Sequence, residues 1–212
     1  MNRPPRPRSA TTARIAGNVR IVGGRWRGTR LPVPDIEGLR PTSDRVRETL
    51  FNWLQPVLAG SRVLDLFAGS GALGLEAVSR GAASAVLVER DPAQVAGLRA
   101  AVDRLQAGAQ VQVVQDDALR WLAGQEPADV FDLAFIDPPF AAGLWHGALQ
   151  ASVARLAPDG WLYLESPSDQ VPEIPAGWTL HRELRTAQAR AALYRGPGQG
   201  RADTLPAADP AP

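Results

Sequence analysis

Asp137-Pro138-Pro139-Phe140 puts a carboxylate, two residues that offer carbonyls but no N–H, and an aromatic ring into one tetrapeptide. Such a set can hold a flat ring that bears an amine: Asp137 accepts one N–H, the Pro138 carbonyl accepts a second, and Phe140 stacks on the ring face. A second set lies upstream, where Gly69-Ser70-Gly71-Ala72-Leu73-Gly74 forms a G-x-G-x-x-G with Asp65 four residues before its first glycine and Glu89 20 residues after it. In this pattern Gly69 permits a tight turn, Gly71 lets a ligand approach the backbone, and Gly74 allows a helix to pack closely on a strand. Glu89 is placed to take both hydroxyls of a ribose.

Both sets fall where strands end. Phe131 to Ile136 is an apolar run of strand length, which the paired prolines stop. Strands are expected near 62–67, 84–89, 111–115, 131–136 and 160–165, and helices near 72–80, 92–106, 117–123 and 142–156. This alternation, with short connections, predicts an α/β fold: a Rossmann-like, seven-stranded, mostly parallel sheet. Two further strands near 178–184 and 189–195, with no helix between them, predict an antiparallel hairpin at one edge. Ligands of open α/β sheets bind at such strand ends.

Asp65 discriminates between cofactor classes. A dinucleotide would lay its pyrophosphate on the helix N-terminus, where a carboxylate adds repulsion. S-adenosylmethionine has no phosphate; its sulfonium and amino group favour a neighbouring carboxylate. The expectation is therefore S-adenosylmethionine, with a nicotinamide-dependent oxidoreductase as the competitor on the glycine turn alone. Asp117, in Gln115-Asp116-Asp117-Ala118, is placed either to accept from an adenine amine or to cap the helix that follows.

A chain of 212 residues suits one domain with appendages. It has no cysteine and two histidines, His146 and His181, which excludes disulfides and thiolate metal sites and leaves no histidine-rich zinc site. No apolar run reaches the ~18 residues of a membrane span, and no secretory signal is present, so the expected compartment is the cytoplasm. The net charge of +1 is unevenly spread: residues 1–47 carry 11 arginines against Asp35, Glu37 and Asp44, and the rest is acidic. A basic end interleaved with Trp26 suits a phosphate backbone with unpaired bases. A non-catalytic RNA-binding module would explain that end and leave the strand-end residues without a purpose.

Residues 1–17 are expected to be a disordered basic extension, 18–41 a basic hairpin and its connection, 42–195 the catalytic domain and 196–212 a flexible tail. In the hairpin, Val19 to Val22 and Arg25 to Leu31 read as strands around Gly23-Gly24, with Arg25, Arg27 and Arg30 on one face. The helix after Thr42 and Ser43 carries an apolar stripe of Val46, Leu50, Trp53 and Leu54 and an outer face of Arg45, Arg47 and Glu48. Trp53, Trp121, Trp145, Trp161 and Trp178 are expected in the core.

Together these motifs resemble the RsmD family of class I S-adenosylmethionine-dependent methyltransferases. The resemblance rests on Ile21 to Gly28, on Leu39 to Thr42 with Asp44 to Leu54, on Asp65 to Ala77, and on the 137–140 tetrapeptide, and it spans residues 20 to about 195. It implies methyl transfer to the exocyclic N2 of one guanine, position 966, of 16S ribosomal RNA in the assembling or assembled small subunit, by a monomer without metal. It further implies that Asp65, Phe67, Gly69, Ser70 and Gly71 surround the methionine part of the cofactor and that Glu89 with Arg90 holds the ribose. Asp117 and Ala118 would meet the adenine, and Asp137, Pro138, Pro139 and Phe140 would receive the guanine. Thr42 would close over the cofactor, and Arg25, Trp26, Arg27, Arg30 and Arg40 would meet RNA. The tetrapeptide alone is shared with adenine-N6 methyltransferases, which leaves adenine in DNA or RNA as the alternative target.

Overall fold

The computed structural model describes residues 15–34, 44–126, 130–139 and 143–198. Its main sheet has seven strands: β3 (Arg62–Asp65), β4 (Ser84–Glu89), β5 (Val111–Gln115), β6 (Phe131–Ile136), β7 (Leu156–Pro167), β8 (Thr179–Arg185) and β9 (Ala189–Arg195). Their order is β5-β4-β3-β6-β7-β9-β8. The first five are parallel, and β9 runs antiparallel to both β7 and β8. The Rossmann-like class is as the alternation predicts. The C-terminal pair is the antiparallel edge hairpin expected, with β9 beside β7 and β8 at the edge. Burial explains the choice: Ala191 to Tyr194 are buried, whereas β8 alternates polar residues over a half-exposed surface, so the more apolar strand goes inside.

Helices cover both faces. α1 (Asp44–Leu58), α2 (Ala72–Ser79) and α3 (Pro92–Arg104) pack on one, and α4 (Ala118–Ala123) and α5 (Trp145–Val153) on the other. Successive residues of β3 serve opposite sides, Val63 joining the first core and Leu64 the second. This is why the central strands read as continuous apolar runs. Trp161 and Trp178 are buried, while Trp53, Trp121 and Trp145 are half-buried against the two cores. Among the described residues, no helix is long and apolar enough to cross a membrane.

The N-terminal hairpin departs from expectation. β1 (Ile15–Arg20) and β2 (Arg30–Pro34) pair antiparallel, so the expected boundary at 17 falls inside β1. Arg25 to Gly28 form turns rather than a strand, with the Arg27 N–H donating to the Gly24 carbonyl and the Thr29 N–H to that of Trp26. The cause is docking. The N–H groups that a strand would give to its ladder go instead to the end of α2: Arg25 N–H to the Ser79 carbonyl and Trp26 N–H to Ser79 Oγ, each at 2.9 Å.

α1 shows a second departure. Arg47, expected on the outer face, is fully buried with Leu50, Phe51, Leu54 and Leu58. These positions lie on one helical stripe, and the charge is tolerated there because Glu76 of α2 meets it at 3.2 Å. Val46 and Trp53, members of the predicted stripe, are half-buried at its flank.

Candidate active site

The C-terminal edge of the sheet carries a row of carboxylates, one strand after another. Asp116 and Asp117 follow β5, Glu89 ends β4, Asp65 ends β3, Asp137 follows β6, and Glu165 lies near the end of β7. The chain passes from β3 out to β5 and returns to β6 on the other side of β3, so the topological switch point falls between Asp65 and Asp137. Neighbouring strands are ~4.8 Å apart, which brings the whole row within the span of a nucleoside and an adjoining base.

Asp65 is buried, 2% exposed, beneath the glycine turn. Its Oδ2 accepts the Gly74 N–H at 2.9 Å, capping a donor at the start of α2 that the helix itself leaves unpaired. Burial first, and the charge of Glu89 second, push its carboxyl up to about 7 against the pull of N–H groups at Gly74 and Phe67. Gly71 has φ 78°, a left-handed conformation that a side chain would strain. A Cβ on it would meet Leu98 and Leu75 side chains, so its small size serves the turn and the packing of α2. A Cβ on Gly74 would come 2.1 Å from Leu87, as expected for close packing of helix on strand.

Glu89 is half-buried and held by two backbone donors, Gly69 N–H to Oε2 at 2.9 Å and Asp91 N–H to Oε1 at 2.8 Å. The carboxylate thereby fixes the glycine turn and the start of α3 at once. Phe67 and Ser70 are half-buried at the turn and Arg90 is exposed. Asp117 caps α4, accepting from Leu119 and Arg120 N–H at 3.1 Å, with buried Ala118 as the first helical residue. The capping role is thus present, and it sets the first turn of α4 at the edge next to Glu89. Asp116 pairs with Arg120, whose hydrogen bond holds its carboxyl below the usual range.

Across the switch point, Asp137 is half-buried, Pro138 buried and Pro139 exposed. Phe140, Thr42 and Arg40 lie outside the described residues. The sequence reading singles out neither Tyr163 nor Glu165. Tyr163 is fully buried on β7, its ring edge-on to Phe135 at 6.0 Å, and its hydroxyl donates to Glu165 Oε2 at 2.9 Å. Burial, then the charges of Glu165 and Asp137, push the phenol well above its ordinary range, so it stays protonated. The available signal was the one that marked Asp137: a carboxylate closing the apolar run Trp161-Leu162-Tyr163-Leu164 at the same end of the next strand.

At the other end of α2, the basic turn is held by a buried ion-pair cluster. Glu76 accepts from Val22 N–H and Arg47 at 3.2 Å and from Arg80 Nε at 2.9 Å. Arg25 lies over the Trp26 ring at 4.2 Å and bonds Gln110 of the body, and the half-buried indole packs on the first core. The described structure therefore gives Trp26 a packing partner on one side and a guanidinium on another. Arg27 and Arg30 are exposed. Among the described residues no group of three or more carboxylates, histidines or cysteines is arranged to hold a metal ion.

The family model described as "Conserved hypothetical protein 95" matches residues 19–195. Ribosomal RNA small subunit methyltransferase D of Escherichia coli (strain K12) is 47% identical over 195 residues, covering 89% of this chain and 95% of that protein. The chain belongs to the RsmD family. Another RsmD relative, the protein of the same name from Haemophilus influenzae, is 40% identical over 187 residues, covering 87% of this chain and 97% of that one. Among solved structures, yhhF from Escherichia coli superposes with a TM-score of 0.78 at 44% identity, over 86% of this chain and all of its own. The RsmD match covers both the carboxylate row and the docked basic turn, so the two belong to one family unit.

Proposed function

We propose that this protein transfers a methyl group from S-adenosylmethionine to the exocyclic N2 of guanine 966 in 16S ribosomal RNA, acting as a monomer on the small-subunit particle in the cytoplasm. The observation that carries this reading is the carboxylate row divided by the switch point, Asp117, Glu89 and Asp65 on one side and Asp137 on the other. The names of the relatives support ribosomal RNA as the substrate.

The cofactor fits the residues present. A buried carboxyl held near 7 at Asp65 disfavours a pyrophosphate and gains from a cation beside it. Glu89, already oriented by two N–H donors, takes the ribose hydroxyls, and the turn from Asp117 into Ala118 borders the adenine. Bound there, S-adenosylmethionine supplies an activated methyl group on a sulfonium. Asp137 and the Pro138 carbonyl accept the two N–H bonds of the target amine, which favours a pyramidal nitrogen with its lone pair aimed at the methyl carbon. Phe140 holds the ring by stacking. Positioning of this kind, with reacting atoms roughly 3 to 3.5 Å apart, is the chief source of rate. The base enters unpaired or flipped from its stack. Arg25, Arg27, Arg30 and Arg40 meet the phosphate backbone beside it.

Incubating the protein with S-adenosylmethionine and undermethylated small subunits, then digesting the RNA to nucleosides for mass spectrometry, is expected to yield N2-methylguanosine. Appearance of N6-methyladenosine instead would assign the amine to adenine, and no methylated nucleoside would remove the reading altogether.

A further inference from the structure

Guanine and adenine present the same kind of exocyclic amine, and they differ at the ring nitrogen beside it. Guanine N1 carries a hydrogen and donates; adenine N1 carries a lone pair and accepts. A site that recognises only the amine cannot tell them apart, whereas an acceptor next to Asp137 that meets N1 would. We infer that Glu165 is that specificity-determining residue, accepting the N1–H of the target guanine while Asp137 and the Pro138 carbonyl hold N2. The inference rests on the guanine-N2 reading given above.

Strand register brings the two carboxylates together. β6 and β7 are parallel, with Phe135 beside Tyr163 and Ile136 beside Leu164. One step further along each strand are Asp137 and Glu165, at strands ~4.8 Å apart. N1–H and one N2–H of guanine are adjacent, roughly parallel donors, matched by two acceptors on neighbouring strand ends. Glu165 shares a face of β7 with Tyr163, which meets Phe135 edge-on, so the pair lies on the face where Asp65 stands beside Phe135.

Glu165 is also pre-oriented. The Tyr163 phenol is fully buried and donates to Oε2 at 2.9 Å. A carboxylate has about four acceptor sites, and the phenol is one of the donors to Glu165. The phenol remains a donor throughout, because burial and both nearby carboxylates oppose its ionisation. A buried hydroxyl that steadies a half-buried carboxylate at the mouth of a strand is a device for holding an acceptor in place. Against adenine, the Glu165 oxygen aimed at N1 would meet a lone pair in place of a donor. With guanine, the N1–H bond to an anion also feeds electron density toward N2, the nucleophile.

The test uses full-length protein and small-subunit particles reconstituted with either guanosine or 2-aminopurine riboside at the target position. 2-Aminopurine keeps the amine and lacks the N1 hydrogen. Wild-type protein is expected to methylate the 2-aminopurine particle with kcat/KM lower by on the order of 100-fold. Glu165→Gln is expected to slow the guanosine particle several-fold, because a neutral amide oxygen replaces the anion as acceptor, and to speed the 2-aminopurine particle, because the amide N–H can donate to the bare N1. Binding of S-adenosylhomocysteine, followed by calorimetry, should not change. Tyr163→Phe, which frees the carboxylate to swing, should narrow the preference for guanosine several-fold. If Glu165→Gln slows both particles equally, its role is structural and the inference falls. Should Glu165→Gln fail to fold, equal wild-type rates on the two particles, or an unchanged preference in Tyr163→Phe, overturn it. If wild-type protein makes no N2-methylguanosine on unmodified particles, the guanine reading itself is what has failed.

Discussion

α2 has a buried carboxylate at each end, and the two are treated differently. Glu76, near its C-terminus, is fully buried and surrounded by its own cations, Arg47 and Arg80, with the Val22 N–H as a third donor. Asp65, under its N-terminus, is equally buried and receives backbone N–H groups alone among the described residues. Burial raises both carboxyls; at Glu76 three donors pull back, while at Asp65 the nearby charge of Glu89 pushes further. A buried anion that brings its counterions is architecture, here fastening α1 and the basic turn to the body. A buried anion left short of a cation is poised to receive one.

The comparison breaks most visibly at Glu76. Glu76→Ala removes the buried carboxylate shared by Arg47, Arg80 and the Val22 N–H, leaving Arg47 to Asp44 at the start of α1, and should cost about 3 kcal/mol in urea unfolding. A loss under ~1 kcal/mol would mean that the junction is not held by this cluster.

At Asp65 the expected sign is opposite. Its folded-state value, about 7, lies above the ordinary 3.8, so between those values the folded chain binds the proton more tightly than the unfolded chain. Stability is therefore fully present below pH ~4, declines as pH rises through 7 and levels off above it, a loss of at most ~4 kcal/mol for a three-unit shift. Asp65→Asn, which keeps an acceptor for the Gly74 N–H, should be more stable than wild type by roughly 2 kcal/mol at pH 8. That advantage should shrink toward pH 5, and S-adenosylhomocysteine should bind more weakly. A variant no more stable at pH 8 would show that Asp65 is not strained by its burial.

The smallest effect sharpens the other end. Replacing Arg25 and Arg27 together should lower the slope of log affinity for RNA against log salt by roughly 1 to 2. Arg27 alone should carry more of the change, since Arg25 is engaged with Trp26 and Gln110. An unchanged slope would count against the turn as an RNA contact.

What the sequence made legible follows from what local pattern can encode. β4, β6 and β9 and the helix start at Asp117 are readable because apolar runs and caps are written within a few residues. The turn at Arg25 to Gly28 was not, because its N–H partners come from Ser79, more than 50 residues away. Arg47 is hidden for the same reason: helical periodicity counts an arginine as polar, and the buried carboxylate that meets it, Glu76, sits on another helix. The placement of β9 inside the sheet depended on weighing two adjacent strands against each other, which spacing alone cannot do. Asp65, Glu89 and Asp137 stood out by their positions at strand ends; Glu165 carries the same mark and needed Tyr163 beneath it to be noticed.

The central claim is that Asp137 grips the target amine while a separate part of the same edge holds the cofactor. It is tested most directly by Asp137→Ala, with methyl transfer to undermethylated small subunits measured in a single turnover and S-adenosylhomocysteine affinity measured by calorimetry on the same preparation. Transfer should fall by on the order of 1,000-fold while cofactor affinity stays within about twofold of wild type. Near-normal transfer, or a matching loss of cofactor affinity, would contradict the division of labour across the switch point.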